Sequence, residues 1–85
     1  MKPMARRNNL VIKRDTGELF IEDILNHNLI HLNPTSAYVW EKCDGSKNTT
    51  EIAAEMEQEL GVSVSENVIL MALRRLQGEK LLEAA

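Results

Sequence analysis

Leu32-Asn33-Pro34-Thr35-Ser36-Ala37-Tyr38-Val39-Trp40-Glu41-Lys42-Cys43-Asp44-Gly45, followed at once by Asn48-Thr49-Thr50-Glu51-Ile52, is the stretch whose reading decides the fold. It runs from a strand end through a capped amphipathic helix to a glycine stop and the cap of a second helix. Asn33 suits an N-cap, because its side-chain oxygen can accept from the first free N–H groups of a helix. Pro34 suits the first helical position, where no N–H is needed. Ala37, Tyr38, Trp40 and Glu41 continue the helical spacing, and Asp44-Gly45 ends it. A strand feeding paired helices in this way builds a small recognition module more readily than an active site.

Downstream, Thr49 is expected to cap a helix over Thr50 to Leu60, with Ile52, Ala53, Met56 and Leu60 on the buried stripe and Gly61 as its left-handed stop. Ser65 is expected to cap a third helix over Glu66 to Gln77, stopped by Gly78 before Leu81-Leu82. At about 100° per residue, Val68, Ile69, Ala72, Leu73 and Leu76 share one arc and form its core face. Leu70 and Met71 fall on the opposite half, flanked by Asn67 and Arg74. That side is either covered by a strand or by Leu81-Leu82, or is tolerated as surface, or is a groove for a peptide.

Upstream, Asn9 to Lys13 and Leu19 to Ile24 are β-branched runs separated by Arg14-Asp15-Thr16-Gly17-Glu18. The separation predicts an antiparallel hairpin with a three-residue loop and a left-handed glycine. A second turn at Asn26-His27-Asn28, with asparagines taking the left-handed geometry, leads into Leu29 to Leu32. The expectation is an α+β fold: a three-stranded antiparallel sheet followed by three helices.

At 85 residues, 44% hydrophobic and 27% charged, the chain fits one modest core and is too apolar for disorder. No apolar run reaches the length of a membrane span and no secretory signal is visible, so the expected location is cytoplasmic. The lone Cys43 offers no internal disulfide. The net charge of −3 is uneven: five bases against one acid up to Gly17, a net of +4, then five bases against twelve acids, a net of −7. Residues 1–8 are expected as a flexible basic tail and residues 9–85 as the single domain.

Chemistry is thinly represented. His27 and His31 lack metal-ligand spacing, there is no CxxC, no phosphate-binding glycine loop and no paired carboxylates, so neither catalysis, a metal nor a cofactor is expected. Cys43 reads as a small buried residue, its thiol pKa raised at a helix end.

The run Leu32-Asn33-x-Thr35-Ser36-Ala37-x-x-Trp40-x-x-Cys43-Asp44-Gly45, then Thr49-Thr50-Glu51-Ile52, then Leu73-x-x-Leu76-x-x-Glu79-x-Leu81-Leu82, resembles the PqqD family of pyrroloquinoline quinone biosynthesis. The similarity extends over about residues 9 to 83. The resemblance implies a winged helix-turn-helix relative that serves as a recognition element for the leader peptides of ribosomally made, modified peptides. It implies that a leader adds as a strand to the third strand and packs on the third helix, and that a partner enzyme, a radical S-adenosylmethionine protein or a peptidase, does the chemistry. Carried onto this sequence, the peptide site is the edge Asn28, Leu29, Ile30, His31 and Leu32 with the helix face Asn67, Leu70, Met71 and Arg74. Arg74 or Arg75 would meet an acidic leader residue, and the protein would act as a monomer or weak dimer. The rival is a DNA-binding winged helix-turn-helix transcription factor. It is disfavoured because the third helix opens with Glu66, Asn67, Ile69 and Leu70 and holds its only arginines near the far end, where a recognition helix seldom reads bases.

Overall fold

A computed structural model describes residues 2–83. Three strands, β1 (Leu10–Asp15), β2 (Glu18–Asp23) and β3 (Asn28–Leu32), precede three helices, α1 (Pro34–Lys42), α2 (Thr49–Leu60) and α3 (Glu66–Gly78). The sheet is an antiparallel meander in the order β1-β2-β3, so β1 and β3 are both edges. Leu19 and Ile21 of β2 and Ile30 and Leu32 of β3 are buried, while Phe20, Leu29 and His31 stand on the opposite, open face. This alternation follows from the period of two along a strand. α1 packs on β2 and β3, and α3 packs on α1 and α2. The core between them holds Val39, Trp40, Ile52, Met56, Ile69, Leu73 and Leu76.

The first hairpin is tighter than its sequence suggests. Asp15 pairs with Glu18, leaving a two-residue turn in which both Thr16 (φ 47°) and Gly17 (φ 84°) are left-handed. That geometry matches the strand twist better than a longer loop. In the second turn the left-handed residue is His27 (φ 53°), not an asparagine. Asn26 is committed elsewhere, its backbone and side-chain N–H groups both donating to the Asp23 carboxylate.

Asn33 caps α1 as expected, accepting from the Ser36 N–H at 2.8 Å. The α2 cap shifts by one residue. Asn48, not Thr49, accepts from the Glu51 N–H at 2.9 Å, and the Glu51 carboxylate accepts from the Asn48 N–H at 3.0 Å. This reciprocal pair satisfies two free donors, where Thr49 would satisfy one. Gly61 ends α2 left-handed, but Leu60 is half exposed rather than part of the buried stripe. Ser65 caps α3. Gly78 lies inside that helix, and the left-handed residue beyond it is Lys80 (φ 60°).

The N-terminal segment, expected to stand apart, is built into the domain. The Ala5 N–H donates to the Cys43 carbonyl at 2.7 Å, the Arg6 N–H to that of Leu81 at 2.8 Å and the Glu83 N–H to that of Met4 at 2.7 Å. Residues 4 and 5 thereby bridge the α1 end to the C-terminal segment. Arg6 continues inward to the buried Asp23 carboxylate at 2.5 Å. Trp40 is buried as expected, but it is closed off by both termini: its Nε1 donates to the Leu81 carbonyl at 2.9 Å, and the Arg7 guanidinium lies 4.7 Å from its ring. Leu81 is fully buried and so does not cover the outer side of α3. No helix among the described residues is long and apolar enough to cross a membrane.

Candidate functional site

The register of the sheet decides which main-chain groups of β3 are free. A two-residue hairpin makes Asp15 and Glu18 a hydrogen-bonded pair, and such pairs recur at every second residue. Glu18, Phe20 and Glu22 therefore bond toward β1, as does Ile24, whose N–H reaches the Asn9 carbonyl at 3.0 Å. Leu19, Ile21 and Asp23 bond toward β3 and use up the main-chain groups of their partners Leu32, Ile30 and Asn28. What remains on the open edge are the N–H and C=O of Leu29 and of His31. Of the five edge residues expected to bind, two turn their main-chain groups away from β2 and the other three anchor the strand.

Beyond this edge the backbone is interrupted. α3 follows α1 and α2 into the core without any of its Cα atoms coming within 8 Å of a Cα of β3. A groove of about 360 Å³ is lined by Asn33, Thr35, Ser36, Val68, Met71, Ala72 and Arg75. Only one hydrogen bond crosses from α3 to β3: the Arg75 guanidinium donates to the outward carbonyl of His31.

The structure sorts the expected helix residues. Met71, 68% exposed, and Arg75 line the groove, and Val68, placed in the core by its apolarity, joins them at 41% exposed. Asn67, Leu70 and Arg74 are exposed but are not among the groove residues. A helical wheel identifies which residues cluster on a face. It does not tell which flank of the core face meets a neighbouring element. Val68 signals the groove only once it is seen across from Asn33, Thr35 and Ser36 at the start of α1.

The open sheet face carries a second shallow depression, lined in part by Val11, Lys13, Phe20, Leu29 and His31. There the His31 ring lies 4.9 Å from that of Phe20, and its Nε2 lies 2.5 Å from Glu18. Elsewhere the chemistry is sparse. Burial pushes the Cys43 thiol up to about 11, and its Sγ donates to the Val39 carbonyl at 3.1 Å. Among the described residues no group of three or more His, Cys, Asp or Glu is arranged to hold a metal ion.

The profile of the family described as Coenzyme PQQ synthesis protein D (PqqD) matches residues 15–82. The chain belongs to the PqqD family. A solved structure described as TbiB1 in complex with the TbiA(beta) leader peptide is similar at a TM-score of 0.72, with 20% identity, over 96% of this chain and 98% of that one. At that identity the likeness concerns the fold. Among curated proteins none matches.

Proposed function

We propose that this PqqD-family protein is a peptide-binding chaperone. It captures the leader of a ribosomally synthesised precursor as an added strand on β3 and presents it to a modifying enzyme, a radical S-adenosylmethionine protein or a peptidase. The observation that carries the reading is the edge of β3 at Leu29 and His31, which no Cα of α3 approaches within 8 Å, together with a groove lined by Val68, Met71 and Arg75 of α3. A complex of the structurally similar TbiB1 with a leader peptide supports it. The protein itself contributes binding and orientation, and the partner supplies the chemistry.

The energetics suit a transient carrier. The outward groups of Leu29 and His31, once Arg75 leaves the His31 carbonyl, support about three or four main-chain hydrogen bonds of roughly 1 kcal/mol net each. Two aliphatic side chains on Val68 and Met71 add about 3–6 kcal/mol. Ordering a disordered peptide and losing its translational freedom oppose these gains, so binding is weak and reversible. Main-chain bonds carry little sequence information, so selection falls to the groove side chains.

Isothermal titration with synthetic leaders of candidate precursors tests the proposal. Saturable binding of one leader, weakened by Met71→Asp, is expected. Saturable binding to duplex DNA with none to any leader would replace this reading with the transcription-factor one.

A further inference from the structure

We propose that Arg75 guards the open edge of β3 and makes the site select acidic peptides, an inference that rests on the strand-addition reading above. In the free protein its guanidinium covers the outward carbonyl of His31. An added strand needs that same carbonyl, because only Leu29 and His31 offer main-chain groups on this edge. The peptide N–H competes with the guanidinium for that carbonyl, and a bound strand is expected to turn Arg75 away. A neutral peptide leaves the displaced cation without its charge-assisted bond. A carboxylate on the peptide restores one, in a planar geometry that guanidinium favours.

The register states where that carboxylate belongs. Paired residues on neighbouring strands point to the same face. The peptide residue opposite His31 therefore shares the open sheet face, and the residues immediately before and after it point toward α3, where Arg75 sits with Val68 and Met71. Among the described residues Arg75 is also the sole charged one lining the groove, in a protein whose net charge is −3. An acidic side chain that enters the groove therefore meets its positive charge at Arg75. While no peptide is bound, the same contact blunts an edge that otherwise invites pairing between copies.

The probe is a library of random peptides of about twelve residues selected on the full chain. One selected peptide that shifts the Leu29 and His31 amides in a 15N-edited NMR spectrum is then made with Glu or with Gln at the positions facing α3. The wild-type protein is expected to prefer the Glu peptide by about fivefold or more. Arg75→Ala is expected to erase that preference and to bind the Gln peptide at least as tightly as wild type does, since the guard is gone. Arg75→Lys should recover part of the preference. A merely structural arginine would instead weaken both peptides by one factor. An unchanged Glu preference in Arg75→Ala, or equal weakening of both peptides, overturns the guard role while leaving strand addition standing. Failure of every selected peptide to shift Leu29 and His31 overturns both.

Discussion

At the residue scale, the buried groups near the chain ends bear most directly on stability. Asp23 is buried, and its carboxyl is held below the ordinary range first by the Asn26 side chain, against the opposing effect of burial, with the Asn26 N–H and Arg6 adding to the lowering. A carboxyl lowered on folding stabilises the native state above its unfolded pKa and loses that contribution as the pH falls through the folded value. Stability is therefore expected to be level near neutrality and to fall below about pH 4. In urea titrations across that range Arg6→Ala should lower the midpoint at pH 7 and flatten the acid limb. A wild-type midpoint that rises on acidification would contradict this. Cys43 has the opposite sign. With its thiol raised to about 11 from an ordinary 9.0, the protein should lose stability as the pH climbs above 9 toward 11, because unfolding releases the thiolate. Disulfide reagents should react with Cys43 only as fast as the protein opens, and rapid stoichiometric reaction in native buffer would show that the thiol is not enclosed. Cys43→Ser should leave peptide binding nearly unchanged.

At the element scale, the caps and faces show what local sequence could tell. Asn33-Pro34 and Ser65 were legible because one side chain and one backbone position decide them. The sequence reading places the α2 cap at Thr49, and the reciprocal bond with Glu51 moves it to Asn48. Asn48→Ala should cost about 1 kcal/mol of stability and Thr49→Ala much less, measurable by chemical denaturation. A larger loss for Thr49→Ala would return the cap to that residue. The faces of α3 were half legible. Apolar periodicity finds Ile69, Leu73 and Leu76, but Val68 and Met71 differ from Leu70 only in which neighbour stands beside them, and that depends on tertiary packing. Met71→Asp should accordingly weaken peptide binding by tenfold or more without unfolding the domain, while Leu70→Asp should have a much smaller effect. Equal losses from the two substitutions would mean that the bound peptide reaches around the far side of α3.

At the scale of the whole molecule, the two termini close the fold that the middle of the chain begins. Element order, sheet direction and helix count follow from turn residues, β-branched runs and caps that act over a few positions. The docking of residues 3–6 between Cys43 and Leu81 has no such local signature, since it consists of main-chain bonds between segments far apart in sequence. Only the Arg6 partnership with Asp23 left a trace, and a basic segment reads as a tail until its buried acid is located. Burial of Trp40 beneath both termini makes its emission a reporter of their docking: denaturation should red-shift it in one cooperative step. Deleting residues 1–6 should lower the denaturation midpoint, and an unchanged midpoint would show that the segment adds nothing to the core.

The central claim, that a peptide joins the sheet at β3, is tested most directly by amide hydrogen exchange with and without a bound leader. In the free protein the Ile30 and Leu32 amides, committed to β2, should exchange slowly, while those of Leu29 and His31, turned away from β2, should exchange quickly. Binding should slow Leu29 and His31 selectively, with smaller changes at Val68 and Met71. Protection of the opposite edge at β1, or unchanged exchange at Leu29 and His31 under saturating leader, would contradict it.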